Sequence, residues 1–317
     1  MVSVTGERWF PDTGTFAEHM STYWGNWHCD SEVGRLRDVL MRRPGAEIDA
    51  VNESNFASYR WRDAMDADLA RQQHDAVADV YRAHGVTVHY VEDQRSDRPN
   101  ALYCRDQVFM TPEGAIVCRL AISARRGEER AVAKALADLG VPVLRTINGE
   151  GIFEGACALW VNRQTVILGS GARANATGVA QVANELRNIG VVNIIPFQIP
   201  YGHAHLDGLL NFADRDKVVL FPWQVPYDVV KALLDIGYHV IEVDDIAEAK
   251  DRFATNFVAL EPGVVVAATG VPNTHAKMRD GGIKIIPVDI SEILKGWGAL
   301  HCMTAFLRRD PVEEAAL

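Results

Sequence analysis

A cysteine near the end of the chain is the first residue that could do chemistry. Cys302 lies in the stretch GALHCMT (298–304), where small residues lead into an apolar run from Met303 to Leu307. This pattern predicts a thiol at a turn or at the start of a strand rather than deep in a helix. A free cysteine is more often a small buried hydrophobe than a nucleophile, so its reactivity depends on the side chains around the sulfur.

Three other segments place polar residues between apolar strands. PNALYCRD (99–106) ends in Asp106, FEGAC (153–157) contains Glu154, and HAHLDG (203–208) contains His205 and Asp207. If the last segment is a strand, alternation puts His205 and Asp207 on one face while Leu206 points into the core. Two carboxylates, an imidazole and a thiol suit attack on a planar cation, because paired charge-assisted hydrogen bonds hold a guanidinium and leave its carbon open to sulfur. Glu154 would then orient the imidazole.

Each segment also has a simpler explanation. His203, His205 and Asp207 alternate, so they could hold a metal ion, although no other ligand-rich segment accompanies them and a histidine pair is often structural. Arg105 and Asp106 could form a surface ion pair, as adjacent opposite charges usually do. The hypothesis of a catalytic site therefore depends on whether the fold brings the segments together.

The elements that would position these residues recur at a regular interval. Five times a helix-like stretch ends in glycine and passes directly into a β-type run, at intervals of 45–55 residues. These glycines are Gly85, Gly140, Gly190, Gly237 and Gly282. A left-handed glycine cap is a common way to end a helix before a strand. The period predicts a repeat architecture whose modules cannot bury their apolar faces alone.

Each repeat is predicted to contain two strands, a helix and a third strand. In one unit the runs Ala158–Val161 and Thr165–Leu168 precede an amphipathic stretch, Thr177–Ile189. The longest predicted helix is at about Met65–His84. A doubly wound sheet is the alternative, but it gives no reason for two strands before each helix. Five such modules favour a ring, and hence one domain, with loops that converge on its axis.

Composition limits the class of protein. The 317 residues are 48% hydrophobic and 23% charged, which is ordinary for a globular chain. The N-terminal segment lacks the features of a secretory signal, and no apolar run reaches the length of a membrane helix, so we expect an intracellular, cytoplasmic protein. The net charge of −10 disfavours nucleic acid and anionic membranes as partners and is compatible with a cationic substrate. Five widely spaced cysteines without a CxxC pair argue against a disulfide framework and a structural zinc site.

Jointly, the segments resemble those of the guanidino-group-modifying superfamily, which includes arginine deiminases, dimethylarginine dimethylaminohydrolases, agmatine deiminases and amidinotransferases. PNALYCRD is similar to the PN…RD segment of deiminases, and RRGEE (125–129) to the segment after it. GSGARAN (169–175) is similar to GxGxRT, and HLDG and LHCMT to the histidine and cysteine motifs. The resemblance runs from about residue 32 to residue 310. It implies an α/β fold, the pentein: a five-bladed α/β propeller of ββαβ modules with pseudo-fivefold symmetry. We expect one catalytic domain over residues 1–317, with the residues before about 32 as an extension.

The resemblance implies a role for each candidate. Cys302 would be the nucleophile, and His205 would be the general acid and later the general base. Glu154 would hold His205, while Asp106 and Asp207 would clamp the guanidinium nitrogens. The resemblance implies neither a metal nor an organic cofactor.

Recognition of the rest of the substrate is implied less directly. Asn100, Arg173 and one of Arg125 or Arg126 match positions that in deiminases bind the amino-acid end of the substrate. Cys157 stands where the family's EGGD motif has an acid, which removes a charge from the margin of the site.

The predicted activity is that of a cysteine-dependent hydrolase of the deiminase or dihydrolase type. It would act on the guanidino group of arginine or an arginine-like compound through a covalent amidino-thioether. The alternatives are an amidinotransferase, in which an acceptor amine replaces water, and a non-catalytic guanidine-binding protein. The predicted partner is a small cationic guanidino compound, and association into a homo-oligomer is left open.

Overall fold

Five three-stranded sheets make up the computed structural model, which describes residues 11–92 and 95–312. The strands are β1 (Leu36–Met41), β2 (Thr87–Tyr90), β3 (Val108–Thr111), β4 (Gly114–Val117), β5 (Val143–Thr146), β6 (Ala158–Asn162), β7 (Thr165–Ser170), β8 (Asn193–Gln198), β9 (Leu210–Asp214), β10 (Lys217–Leu220), β11 (His239–Glu242), β12 (Val258–Glu261), β13 (Val264–Ala268), β14 (Lys284–Val288) and β15 (Ala305–Arg309). The helices are α1 (Phe16–Tyr23), α2 (Ala46–Asp49), α3 (Ala67–Ala83), α4 (Glu129–Asp138), α5 (Ala176–Asn188), α6 (Tyr227–Ile236), α7 (Ile246–Asp251), α8 (Pro272–Asp280) and α9 (Leu300–Met303).

Four of the sheets are continuous ββαβ modules. In one of them β6 pairs antiparallel with β7, and β8 returns parallel to β7 after the crossover helix α5. The same order is found in β3–β5, β9–β11 and β12–β14. A parallel neighbour requires such a crossover, which explains why a helix always separates the second strand from the third. The predicted module is confirmed, and the doubly wound sheet is not formed because the five sheets are separate.

The remaining sheet joins the two ends of the chain. Its order is β15-β1-β2, with β15 antiparallel to β1 and β1 parallel to β2. The last strand therefore occupies the position that the first strand has in the other modules. Main-chain hydrogen bonds beyond the strands, such as Asp310 N to Arg35 O at 2.9 Å, continue this closure. The predicted five-bladed α/β propeller is confirmed.

The glycines that end the crossover helices have the predicted backbone conformation. Their φ angles are all positive, at 78° for Gly85, 75° for Gly140, 91° for Gly190, 105° for Gly237 and 83° for Gly282. A side chain at such a φ would clash with the following carbonyl, so glycine allows the helix to end and the chain to turn at once into a strand. The helix predicted at Thr177–Ile189 agrees closely with the structure, where it spans Ala176–Asn188.

Burial is graded across each sheet. The first and second strands of every module are almost fully buried, whereas the third strands β2, β5 and β11 have no fully buried residue. Neighbouring modules meet through first strands, as where β15 contacts β3 and β9 contacts β12. Each first strand therefore lies towards the centre of the ring, and the loops that precede these strands meet at one end of it.

The sequence analysis also made predictions about membrane helices, a secretory signal and the number of domains. Within residues 11–92 and 95–312, the helices are too short or too polar to cross a lipid bilayer. Residues 1–10, which carry part of the expectation about a secretory signal, lie outside the described residues. The assignment of residues 1–317 to one domain with an N-terminal extension stays a prediction.

Substitution of two glycines by alanine tests the packing around α5. Gly190→Ala should cost about 1 kcal/mol of unfolding free energy, because its φ is positive but the space around it is open. Gly178→Ala should cost more, about 2–3 kcal/mol, because a Cβ there would overlap the Ile152 carbonyl. Urea unfolding of both variants measures the difference. Equal losses would show that α5 can move away from the Ile152 segment.

Candidate active site

Polar side chains gather at the end of the ring where loops enter the first strands. Asp106 precedes β3, Glu154 precedes β6, Asp207 precedes β9 and Cys302 precedes β15. The sequence segments that predicted these four residues are therefore brought together by the repeat itself. The fifth first strand, β12, is preceded by Asn256, which the sequence analysis missed. The rule that each module carries a polar residue before its first strand was the signal that could have found it.

Cys302 lies on a single helical turn, α9, directly before β15. Asn256 Nδ2 donates to the sulfur at 3.2 Å, and Asp207 Oδ2 lies 3.4 Å from it. Asn256 Oδ1 accepts hydrogen bonds from the main-chain N–H of His301 (2.9 Å) and of Cys302 (3.3 Å). One asparagine therefore fixes both the sulfur and the backbone that carries it.

The thiol of Cys302 is held in its neutral form. Burial raises its pKa well above the usual value, and the negative charges of Asp207 and Asp106 raise the pKa further. A thiolate there would be a third negative charge beside two carboxylates. A cation placed between the carboxylates would remove this repulsion, so the arrangement couples the reactivity of the sulfur to the charge of a ligand.

His205 lies between two carboxylates. Its Nε2 is 2.6 Å from Glu154 Oε2, and its Nδ1 is 3.6 Å from Asp106 Oδ1. Burial alone would lower the pKa of His205, but the charge of Asp106 and the hydrogen bond with Glu154 outweigh burial and raise the pKa. A raised pKa favours the imidazolium, so His205 is placed and charged as a proton donor.

The prediction that His205 and Asp207 alternate on a strand is wrong. Residues 203–209 form turns and irregular backbone, and β9 begins only at Leu210. Leu206 is buried as expected, and its main-chain N–H donates to the Ala156 carbonyl at 3.1 Å. A loop can direct neighbouring side chains independently, so the two residues reach different partners.

Glu154 holds the imidazole of His205 in place through a hydrogen bond. It is fully buried, and its Oε1 accepts the main-chain N–H of Ala121 at 2.8 Å. Arg173 Nη1 donates to both carboxylate oxygens at 3.1 Å. Burial alone would raise the pKa of Glu154, but the hydrogen bond from His205 and the charges of His205 and Arg173 hold it well below its usual value. The carboxylate therefore remains an acceptor that fixes the ring.

Asp106 has one oxygen bound and one open. Arg125 Nη1 donates to Asp106 Oδ2, and Arg125 also donates to Glu128 Oε2 at 2.8 Å. Asp106 Oδ1 is buried and has no hydrogen-bond partner among the described residues. A buried acceptor without a donor is costly, which indicates a place for a ligand that brings N–H groups.

The residues expected to read the far end of a substrate already have partners. Asn100 Oδ1 accepts from Trp61 Nε1 at 2.7 Å, and Arg126 Nε donates to the Leu120 carbonyl at 2.6 Å. Arg125 lies against Asp106 and Arg173 against Glu154, as described above. The recognition role of these four residues stays a prediction, and their observed contacts hold the site together.

The alternative metal site at His203, His205 and Asp207 is not formed, because among the described residues His205 comes together with a different set of possible ligands. Within the part of the chain that the structure describes, Asp106, Glu154 and His205 have ligand atoms within 4.8 Å of one another. Both carboxylates of that group, however, are already paired with arginine. The positive charge that they need is therefore supplied by the protein itself.

Two more charged residues near Cys302 were missed in the sequence. His301 Nδ1 lies 2.9 Å from Asp207 Oδ2, and its Nε2 lies 3.2 Å from Glu32 Oε2. Glu32 is separated from this histidine by 269 positions, so no local pattern reveals the pair. Cys157, where the family motif has an acid, is buried beside the loop of His205, with its sulfur 3.8 Å from the Ala204 carbonyl.

An arginine and two aromatic rings lie next to the segment that leads to Cys302. The guanidinium carbon of Arg62 is 4.0 Å from the ring centre of Trp297 and 5.7 Å from that of Phe253. Both aromatic residues have positive φ, at 62° and 52°, which is uncommon outside glycine. Strained backbone of this kind is concentrated at functional sites.

A family model and several protein relatives match the sequence of this chain. The model described as N,N dimethylarginine dimethylhydrolase, eukaryotic, matches residues 45–309. The uncharacterized protein YkgA of Bacillus subtilis is 23% identical over 283 residues, covering 89% of this chain and 95% of its own. The arginine deiminase of Mycolicibacterium gilvum is 23% identical over 400 residues, covering 90% of this chain and 98% of its own.

Solved structures with the same fold include three enzymes. A dimethylarginine dimethylaminohydrolase from Pseudomonas aeruginosa, complexed with citrulline, has a TM-score of 0.70 at 21% identity, covering 86% of this chain and 100% of that one. An amidinotransferase of saxitoxin biosynthesis from Microseira wollei has a TM-score of 0.74 at 14% identity, covering 92% and 100%. The N-terminal domain of a cyanobacterial arginine dihydrolase has a TM-score of 0.73 at 17% identity, covering 86% and 98%.

The fold, the site and these matches define the class as the guanidino-group-modifying enzymes of the pentein superfamily, which confirms the predicted resemblance. Within that class, the chain belongs to the N,N dimethylarginine dimethylhydrolase family.

Asn256 can be tested against a matched asparagine. Asn256→Ala removes the donor to the Cys302 sulfur, so alkylation of Cys302 should shift to higher pH and slow about tenfold at fixed pH. Asn211→Ala is the control, because Asn211 is also buried but binds the Phe257 carbonyl instead. Peptide mass spectrometry after iodoacetamide treatment measures both. Identical Cys302 profiles for the two variants would contradict the role of Asn256.

Proposed function

We propose that this chain is a cysteine-dependent hydrolase that acts on the guanidino group of arginine or an arginine-like compound. The observation that carries the proposal is the joint placement of a thiol, an imidazole and three carboxylates at one end of the ring. Cys302 lies beside Asp207, while His205 lies between Glu154 and Asp106. The family and the arginine deiminase relatives support the reaction class.

Substrate binding would be driven by charge and by hydrogen-bond geometry. A guanidinium carries N–H donors on its edges, and Asp106 and Asp207 offer acceptors from two different modules. Asp106 Oδ1 is the open buried acceptor, so a bound N–H group would satisfy it. The planar cation would thereby expose the face of its carbon to Cys302.

The same binding step would activate the nucleophile. The substrate cation offsets the two carboxylates that raise the pKa of Cys302, and the thiol proton then passes to solvent. The thiolate attacks the guanidinium carbon to give a tetrahedral adduct. His205 gives its proton to the departing amine, which leaves an amidino-thioether on Cys302.

The second half of the reaction would use the same imidazole as a base. His205 is neutral after it has protonated the amine, and Glu154 keeps its ring in place. It removes a proton from a water molecule, which attacks the thioether carbon. Collapse of this adduct expels the thiolate and, with loss of the hydroxyl proton to solvent, gives a ureido product, while His205 is again protonated. The net reaction is hydrolysis of one guanidino C–N bond.

Arg173, Asn100, Arg125 and Arg126 are proposed to line the path to the far end of the substrate. Arg173 supports this role best, because its side chain is 18% exposed while it binds Glu154. Arg125 is 5% exposed and supports Asp106 directly. A small cationic guanidino compound is the proposed partner, and association into a homo-oligomer and cytoplasmic location stay predictions.

An amidinotransferase is the second candidate. The structural likeness to the Microseira wollei enzyme favours it, and the same cysteine, histidine and carboxylates would serve both reactions. The difference lies in the second step, where an amine replaces water. Incubation of the chain with arginine and N-methylated arginines, with and without added amines, separates the two by the products formed.

Loss of the two central groups tests the mechanism. Cys302→Ala should abolish formation of ammonia, alkylamine and ureido product, because the nucleophile is absent. His205→Ala should lower kcat by about 10²–10⁴-fold, the usual contribution of a general acid–base group. Colorimetric detection of the ureido product measures both, with Asn211→Ala as the control. Substantial turnover by Cys302→Ala would contradict the proposal.

A matched pair of alkylating reagents tests activation by charge. Cys302 should react at least about tenfold faster with the cation 2-chloroacetamidine than with neutral 2-chloroacetamide, because only the cation offsets the carboxylates. Asp106→Asn should reduce this preference. The other cysteines, which are buried and free, serve as internal controls in the same digest. Equal rates at Cys302 for both reagents would favour a site without selection for cations.

A further inference from the structure

A second buried histidine lies against the proposed site and has no part in the mechanism above. His301 is 1% exposed, and each of its ring nitrogens faces a carboxylate oxygen. Nδ1 lies 2.9 Å from Asp207 Oδ2, and Nε2 lies 3.2 Å from Glu32 Oε2. Phe306 closes the face of the ring with an edge contact, at 5.2 Å between ring centres.

The two contacts specify the protonation state of this ring. A neutral imidazole has one N–H donor and one lone pair, so one of its nitrogens would face a carboxylate oxygen without a proton between them. Only the imidazolium donates from both nitrogens. The geometry therefore requires His301 to carry a positive charge while Glu32 and Asp207 are ionised.

Glu32 has two hydrogen-bond donors besides the histidine. Its Oε1 accepts the main-chain N–H of Trp160 at 3.1 Å and Arg105 Nη2 at 3.2 Å. Burial alone would raise its pKa, but the charge of Arg105 and the hydrogen bond from His301 outweigh burial and lower the pKa to about 2. Glu32 is thus a permanent negative charge that holds the far side of the ring.

One oxygen of Asp207 contacts both the imidazole of His301 and the sulfur of Cys302. Oδ2 lies 2.9 Å from His301 Nδ1 and 3.4 Å from Cys302 Sγ. With Oδ2 held in this way, the orientation of the carboxylate is fixed, and Oδ1 is the oxygen available to a ligand. The imidazolium also opposes proton uptake by Asp207, which lies in the field of other carboxylates.

We propose that His301 is a positioning residue, an imidazolium clamped by Glu32 that keeps Asp207 ionised and oriented for a guanidinium. The role in substrate binding rests on the proposed function, whereas the charge state does not. Glu32 acts one step further away, because it holds the ring and touches neither Asp207 nor the sulfur.

The charged groups that face His301 come from three other parts of the chain. They are Glu32 before β1, Arg105 before β3 and Asp207 before β9, while the neighbouring Cys302 is a neutral thiol. Burial alone would lower the pKa of His301, but the hydrogen bonds with Asp207 and Glu32 outweigh burial and raise it. The stabilisation is therefore complete below the pKa of an unfolded histidine, about 6.5, and is lost as pH rises through the higher folded value.

A purely structural role for His301 makes different predictions. A ring that only fills space against Phe306 would affect unfolding, and would leave the charge preference of Cys302 alkylation unchanged. It would also titrate like an ordinary buried histidine, whose pKa falls below 6.5. These two readouts therefore separate a positioning role from simple packing.

The first test uses the wild-type chain and needs no substrate. Nitrogen-15 NMR of labelled histidine should show both ring nitrogens of His301 protonated at pH 7.5, with the resonance assigned by its loss in His301→Gln. In Glu32→Gln the ring should give up its second proton at lower pH. A neutral His301 ring in the wild-type chain at pH 7.5 would overturn the proposal.

The second test measures the effect on the nucleophile. His301→Gln and Glu32→Gln should each reduce the preference of Cys302 for chloroacetamidine over chloroacetamide by about tenfold or more. His275→Gln, a change to another buried histidine outside the site, should leave the preference unchanged. An unchanged preference in both site variants would overturn the positioning role.

The two proposals fail in distinguishable ways. If the wild-type chain shows no preference for the cationic reagent and hydrolyses no guanidino compound, the proposed function fails, while the NMR result still decides the state of His301. If His301→Gln does not fold, the His301 resonance is assigned by its change in Glu32→Gln, because Glu32 is the partner of Nε2, and the wild-type spectrum still decides. In urea, the gap in unfolding midpoint between wild type and Glu32→Gln should narrow at high pH.

Discussion

Charge neutralisation among buried carboxylates at one end of the ring is the constraint on which the site depends. Buried carboxylates are costly unless a cation or several donors meet each of them. Here each one has a cation from the protein: Asp106 with Arg125, Glu154 with Arg173 and His205, Asp207 with His301, and Glu32 with Arg105. Three of these pairs join different modules, namely Glu154 with His205, Asp207 with His301 and Glu32 with Arg105, so this pairing also ties modules together. Asp106 Oδ1 is left as a buried acceptor without a hydrogen-bond partner among the described residues.

The repeat explains how such a site is assembled from distant segments. Every first strand begins at the same end of the ring, and the residue types that precede these strands differ from module to module. Closure by β15 against β1 brings Cys302 back to the start of the chain, where Glu32 lies. The nucleophile, its asparagine and the clamped imidazolium thus all depend on a pairing between the two ends of the sequence.

Most of the fold could be predicted from local sequence patterns. A glycine at positive φ after a helix is determined by its own neighbours, so Gly190 and its equivalents could be recognised without knowledge of the tertiary structure. The residue types around Cys302, His205 and Asp106 also indicated a guanidinium site. The prediction of a strand at 203–207 was wrong because this segment is a loop. Its side chains contact Glu154 and His301, which belong to other modules. Glu32 could not be assigned a role from spacing, since its partner His301 lies 269 positions away. Asn256 could be recognised only from its place before a first strand, since its contact with Cys302 spans 46 positions.

One of the five sheets is formed by strands from both ends of the chain, so the ring is closed by β-pairing rather than by a covalent link. A propeller closed by β-pairing is held by contacts between neighbours, so the site does not require any particular covalent link between one blade and the next. Extra segments can therefore be accommodated between blades without disturbing the axis. The deiminase alignment spans 400 residues yet covers 90% of this chain, which is the length variation that such an architecture permits.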